Sequence, residues 1–186
     1  MLRGAYQSGI LTVLNSASTQ PLALWKSAIA DTADSNINIV ADDEIRSSVV
    51  SLQSDDLCKT HITCPETSTL GMKLPYLIVV MKNTDQLVGF EVQVKDDRGQ
   101  ERSFWTANYE REPQIHPQLS ILPLRLDRGW NHLTFDLAQM TNRAYGTRYI
   151  ETVRIRFHAN TRLRLVYFAD RLIAEDELPS ELKLYY

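Results

Sequence analysis

Alternation of apolar and polar residues with a period of two most restricts the fold of this sequence. Phe90, Val92 and Val94 alternate with charged or amide side chains, and the pattern returns in residues 153–158. Successive side chains of a strand point to opposite faces of a sheet, so this period predicts strands with one buried face. About nine such runs are separated by turn signals, with one or two brief helices between them. The sequence therefore predicts an all-β fold, an antiparallel β-sandwich.

Length and charge limit the classes of protein to which the chain can belong. Its 186 residues, 44% of them hydrophobic, can bury a core as one domain, residues 1–186. The longest apolar run, residues 76–81, is far shorter than the roughly 20 residues of a membrane span. The net charge of −3 argues against generic nucleic-acid binding, which usually requires a strongly basic domain. We expect neither a membrane nor a nucleic acid as partner.

Local signals predict the elements between the strongest strands. Residues 22–25 are expected to form a strand and residues 30–43 a polar loop. Asp136 and Gln139 are spaced as a capping box that opens a short helix, and Gly146 is placed to end it. Residues 150–158 and 162–170 are predicted to pair as a last hairpin around residues 159–161.

Candidate catalytic and metal-binding residues are scattered. The four histidines occur in unrelated segments, and the seven glycines form no phosphate-binding loop. Cys58, His61 and Cys64 have a spacing that superficially suggests a metal, but a closed zinc site needs four convergent ligands. We therefore expect no metal, no organic cofactor and no enzymatic activity.

Arginine residues give the predicted last hairpin a distinctive charge pattern. Its outward positions are expected to be Arg154, Arg156, His158, Arg162 and Arg164. A three-residue loop places these side chains on one face, whereas a two-residue loop shifts the register and separates them. Such a face would suit an anionic neighbour, because like charges across a ladder repel. The alternative is a solvated face balanced by carboxylates of this chain, such as Glu91 or Glu101.

A second basic and aromatic group flanks the end of the predicted helix. Arg143, Tyr145 and Arg148 together suit an acidic protein surface. The alternative is a structural corner in which the Tyr145 hydroxyl bonds to the backbone.

The three tryptophans raise the alternative that the chain binds carbohydrate rather than an acidic protein surface. Trp130 is expected in the core, whereas Trp105 follows Phe104, so that one of these two rings faces outward. A carbohydrate-binding β-sandwich module needs two or more coplanar exposed rings. Burial or dispersal of Trp25, Trp105 and Trp130 would remove that alternative.

Five phrases occur in order in the last third of the chain: RLDRGWN, NRAYGTRYIET, HAN, VYFADRL and EDELP. Earlier phrases such as AYQSGILTVL and TLGMKLPYLIVVMKN extend the match over nearly the whole sequence. With these phrases the chain resembles the family of cilia- and flagella-associated protein twenty, small β-rich proteins of the axoneme. The resemblance implies a jelly-roll-like sandwich similar to carbohydrate-binding modules.

The resemblance also implies a structural, non-catalytic function at the inner junction, which links the A- and B-tubules of doublet microtubules. The implied partners are tubulin and other inner-junction proteins, and the implied location is the axoneme and basal body of cilia and flagella. Residues 27–44 depart from the family, because they carry five acidic and no basic residues; this weakens the transfer of a tubulin contact onto that segment. The partner-binding residues expected here are Arg143, Tyr145, Arg148, Arg154, Arg156, Arg162 and Arg164.

Overall fold

The computed structural model describes residues 1–184, in which thirteen strands, one α-helix and two 3-10 turns are formed. The strands are β1 (Ile10–Asn15), β2 (Lys26–Ala28), β3 (Asn36–Asp42), β4 (Ser47–Gln53), β5 (His61–Cys64), β6 (Tyr76–Asn83), β7 (Gly89–Asp96), β8 (Glu101–Ala107), β9 (Gln114–Ile115), β10 (Leu119–Pro123), β11 (Gly129–Asp136), β12 (Tyr149–His158) and β13 (Thr161–Ala169). Helix α1 spans Leu137–Tyr145, and the 3-10 turns span Glu175–Glu177 and Ser180–Leu182.

Two sheets form the sandwich. Sheet A has the order β11-β6-β13-β4-β3, with β1 also paired to β13, and sheet B has the order β2-β5-β12-β7-β8-β10-β9. The strand pairs are antiparallel except that β10 runs parallel to β8. The predicted β-sandwich is confirmed, with this one parallel pair added.

Aromatic side chains from both sheets and from the first loop fill the space between the layers. Phe90 of β7 lies 5.0 Å from Phe157 and 5.4 Å from Phe135, measured between ring centroids. Trp25 packs on Phe157 at 5.8 Å and donates its indole N–H to the Val13 carbonyl at 2.8 Å. Each such ring stabilises the fold by about 1.5–3 kcal/mol through burial alone.

A smaller apolar cluster lies on the outer face of sheet A beneath the C-terminal segment. Leu178 and Leu182 of this segment are buried against a patch formed by Ile78, Val80, Leu165, Tyr167 and Ala169. Within the described chain, the hydrogen bonds of residues 171–184 all lie inside the segment. Apolar packing therefore holds this segment on the sheet.

Helix α1 begins and ends where the sequence predicts. The Asp136 carboxylate accepts a hydrogen bond from the Gln139 backbone N–H at 2.9 Å, which satisfies one of the free donors of the first turn. Gly146 adopts a left-handed conformation with φ 64°, and its N–H bonds to the Asn142 carbonyl. Both predicted caps are confirmed.

Two local predictions near the N-terminus are wrong. Residues 21–24 form a turn rather than a strand, and β2 begins only at Lys26. Residues 36–42, predicted as loop, form the edge strand β3 and pair with β4. Because β3 buries few of its side chains, it lacks the clear alternation by which a strand is recognised from sequence.

The predicted last hairpin is also wrong. Strand β12 lies in sheet B between β5 and β7, whereas β13 lies in sheet A beside β6 and β4. Residues 159–160 therefore cross from one layer to the other. Alternation shows which side of a strand is buried but does not identify its neighbour.

Candidate functional site

The four arginines of β12 and β13 do not share a face. Arg154 and Arg156 point outward from sheet B, whereas Arg162 and Arg164 belong to sheet A on the other side of the core. The expectation of one common arginine face is wrong because the two strands belong to different layers.

Arg162 belongs to an ion network on sheet A. Its Nη1 donates to Asp42 Oδ2 at 2.7 Å, and Lys82 Nζ donates to the same oxygen at 2.9 Å. Lys82 also pairs with Glu44 at 3.0 Å. Because the Asp42 side chain is fully buried, the two cations compensate a carboxylate that water does not reach.

The pKa of Asp42 reflects this arrangement. Burial alone would raise it, but hydrogen bonds from Lys82, Arg162 and the Trp130 indole lower it to about 2. The Trp130 N–H lies 3.3 Å from Asp42 Oδ1, and Lys82 Nζ lies 5.8 Å from the ring centroid. Trp130 was expected in the core; instead it is half-buried on the outer face of sheet A, where its polar N–H has an acceptor.

Arg164 is buried, with 2% of its surface exposed. It stands at a bulge in β13, where the register with β6 shifts between Leu163 and Leu165. Its Nη1 donates to Asn15 Oδ1 at 2.7 Å. The guanidinium thus joins β13 to the end of β1 and faces the interior rather than a partner.

Arg154 and Arg156 line a small pocket on the outer face of sheet B. In the β12–β7 ladder they stand opposite Gln93 and Glu91, and these four side chains line a pocket of about 180 Å³. Both arginines are half-buried. Among the residues that the structure describes, no carboxylate lies within 4.0 Å of either guanidinium.

Neighbouring backbone and hydroxyl groups orient the two guanidinium groups. Arg154 Nη2 donates to the Ser68 carbonyl at 3.2 Å, and Arg156 Nε donates to Thr63 Oγ1 at 3.1 Å. Arg154 Nε is buried and has no hydrogen-bond partner among the described residues. An unsatisfied buried donor is unfavourable, so Arg154 has a donor that the described residues leave unused.

Three rings continue this face beyond Arg156. The His158 ring lies 5.3 Å from His61 and 5.1 Å from Trp105, the latter edge to face. Burial and the nearby Arg156 charge lower the pKa of both histidines below the ordinary value of 6.5. Both rings are therefore neutral at pH 7, and the arginines carry the positive charge of the face.

The second predicted group, at the end of α1, is partly structural. The Tyr145 hydroxyl lies 2.7 Å from Ser120 Oγ, and the Arg102 guanidinium lies 4.6 Å from the centre of the tyrosine ring. Arg148 pairs with Asp97 at 3.0 Å while remaining exposed. Arg143 is exposed in the last turn of the helix. Tyr145 thus forms a corner through a side chain rather than the backbone, and the two arginines remain accessible.

The tryptophans are dispersed. Trp25 is in the core, Trp105 is half-buried on sheet B, and Trp130 lies on sheet A. A sugar platform of coplanar tryptophans is therefore not formed, and the criterion for a carbohydrate-binding module is not met.

Cys58 and Cys64 have different environments. Cys58 is exposed, whereas Cys64 is fully buried in the core, where burial raises the pKa of its thiol to about 12. The described residues contain no group of three or more His, Cys, Asp or Glu side chains placed to hold a metal ion.

No helix in the described part of the chain has the length and apolarity to cross a membrane.

The sequence did not reveal the residues that complete the ion network of Arg162 or the pocket of Arg154 and Arg156. Asp42 lay in a predicted loop, and Thr63 and Ser68 carried no signal of a contact with arginine. Glu91 and Gln93 were readable as outward positions of a strand, but their place opposite β12 follows only from the pairing of β7 with β12.

Comparison with known proteins identifies the family. The CFA20 domain matches residues 1–186. Cilia- and flagella-associated protein 20 of Chlamydomonas reinhardtii is 43% identical over 187 residues, covering 100% of this chain and 97% of that protein. The proteins of the same name from Caenorhabditis elegans and Paramecium tetraurelia are each 42% identical, covering 100% of this chain and 91% and 96% of those proteins.

Solved structures support the fold. A family 11 carbohydrate-binding module of a cellulosomal cellulase of Clostridium thermocellum aligns over 91% of this chain and 99% of that module, with a TM-score of 0.50 and 10% identity. At this identity the likeness concerns the fold alone. By its sequence, the chain belongs to the CFA20-domain family of cilia- and flagella-associated proteins.

Proposed function

We propose that this chain is a structural, non-catalytic protein of the axoneme and basal body. It binds tubulin and neighbouring proteins at the inner junction that links the A- and B-tubules of doublet microtubules. The observation that carries the proposal is the CFA20-domain match over residues 1–186. Identity of 42–43% to relatives named for cilia and flagella supports the same location.

The distribution of charge supports docking through local surfaces. The chain has a net charge of −3, so overall attraction to an acidic lattice such as tubulin is not expected. Arg154 and Arg156 on sheet B, and Arg143 at the end of α1, have no carboxylate partner within the described chain. These side chains can neutralise acidic groups of a partner at short range, where screening by salt is weakest.

The partner-binding set is therefore smaller than the sequence suggested. Arg162 compensates Asp42, and Arg164 is buried against β1. We assign partner contact to Arg154, Arg156, Arg143 and the exposed Arg148, with Tyr145 supporting the corner.

The proposal is tested by removing the protein from a ciliated cell and restoring a tagged copy. We expect electron cryotomography of the mutant axonemes to show missing density between the A- and B-tubules, and restoration should return it. The tagged copy should remain with detergent-extracted axonemes and leave them as the salt concentration rises. Release of the copy with the detergent-soluble fraction, together with intact inner junctions in the mutant, would contradict the proposal.

A further inference from the structure

We infer that the pocket between Arg154 and Arg156 receives a single acidic side chain, the carboxylate of an aspartate or glutamate, from a partner protein. The inference deepens the proposed function, on which it rests for the class of partner. Its physical basis is the combination of the pocket's size, the unused arginine donors and the local charge.

The size of the pocket suits a small planar anion. Its volume of about 180 Å³ is bounded by the two arginines and by Glu91 and Gln93. Guanidinium groups present parallel N–H donors that match the two oxygens of a carboxylate. A lysine surface would offer only point charges without this geometry.

The guanidinium N–H donors of Arg154 and Arg156 are already oriented, but not all of them have an acceptor. Ser68 and Thr63 hold the two guanidinium groups in place from the side, which lowers the entropy that ligand binding must overcome. Arg154 Nε remains buried without an acceptor among the described residues. A carboxylate in the pocket supplies an acceptor to guanidinium N–H groups of Arg154 and Arg156 that the described residues leave without one.

Local charge favours a carboxylate over a phosphate. Two arginines and Glu91 give the lining a formal charge of +1, and the nearby His61 and His158 are neutral at pH 7 because burial lowers their pKa. One carboxylate neutralises this charge. A phosphate group carries about −1.5 to −2 at pH 7, so it would leave excess negative charge beside Glu91.

The experiment measures binding of a fluorescein-labelled peptide of alternating glutamate and glycine to the full chain by fluorescence anisotropy. We expect saturable binding that weakens by roughly tenfold or more in the Arg154→Gln/Arg156→Gln variant, because charge-assisted hydrogen bonds are lost. The Arg154→Lys/Arg156→Lys variant keeps the charge and should also bind weakly, since it lacks the planar donors.

The matched control is Arg111→Gln/Arg125→Gln. These two arginines are exposed, have no ion pair within the described chain, and change the net charge by the same amount. The control should bind like the unmodified chain, and circular dichroism should show that all variants are folded. An equal loss in the control, or full binding by the lysine variant, would show a general charge effect and overturn the inference.

Two further measurements identify the ligand and distinguish a failure of this inference from a failure of the proposed function. A phosphoserine–glycine peptide should bind more weakly than the glutamate peptide; tighter binding would overturn the choice of a carboxylate. Retention on axonemes without peptide binding would refute the pocket while leaving the axonemal function intact. Peptide binding without retention on axonemes would refute the axonemal function while leaving the pocket intact.

Discussion

Replacing Asp42 with asparagine should destabilise the fold in a way that depends on pH. Asp42 is the fully buried carboxylate that compensates Arg162 and Lys82. Its pKa is about 2 in the folded chain against an ordinary value of 3.8. This lowering of the pKa corresponds to about 2 kcal/mol of stabilisation at pH 7.

The sign of the pH dependence follows from the lowered pKa. Stabilisation by the ionised Asp42 is fully present above about pH 5 and is lost progressively as the pH falls through 2, because the unfolded chain binds the proton first. About 1 kcal/mol of it should already be lost at pH 3. In Asp42→Asn this contribution is absent at every pH, so the difference between the two proteins should shrink on acidification.

Urea unfolding, followed by circular dichroism at pH 7 and pH 3, measures both quantities. At pH 7 we expect the variant to lose about 2 kcal/mol, equivalent to a fall of about 4–8 °C in the thermal midpoint for a chain of this size. Asp43→Asn is the control, because Asp43 is exposed and forms no ion pair within the described chain. A loss for Asp42→Asn that is the same at both pH values, or no larger than that of the control, would refute the electrostatic account.

Two further predictions concern the helix cap and the thiols. Asp136→Ala should lower the free energy of unfolding by about 1 kcal/mol, because the Gln139 N–H loses its acceptor. Thermal unfolding measures this loss, and Gln139→Ala is the control because it keeps the backbone donor. An unchanged thermal midpoint in Asp136→Ala would contradict the role of Asp136 as a helix cap. A maleimide should modify the exposed Cys58 in the native protein and Cys64 only after unfolding, because Cys64 is buried and its pKa is raised to about 12. Mass spectrometry over time should show one maleimide added to the native protein. Two maleimides added equally fast would show that Cys64 is accessible and would contradict the prediction.

Local features were readable from the sequence because their causes are local. The period of two in residues 90–94 predicted a strand with an apolar side, and β7 buries Phe90, Val92 and Val94. Asp136 and Gly146 predicted both ends of α1, since each cap depends on residues within one turn. The family could also be recognised, because ordered phrases do not require knowledge of the fold.

The candidate site was predicted only in part. Arg154 and Arg156 were correctly placed on an outward face, but nothing in their own strand indicated that Glu91 and Gln93 would complete a pocket with them. That arrangement depends on the pairing of β12 with β7. The prediction that Trp130 lies in the core was wrong for a related reason. Its hydrogen-bond acceptor, Asp42, lies 88 residues away in sequence.

The sequence by itself determined where most of the longer strands lie, which side of most strands is apolar, where the helix is capped and to which family the chain belongs. Only the tertiary structure decided that β12 and β13 lie in different sheets, so that Arg154 and Arg156 are separated from Arg162 and Arg164. Strand alternation is a property of neighbouring residues, whereas the choice of a pairing partner depends on packing between distant segments. Arg162 meets Asp42 across 120 residues of chain, and only the packing of the whole sandwich brings those two side chains together.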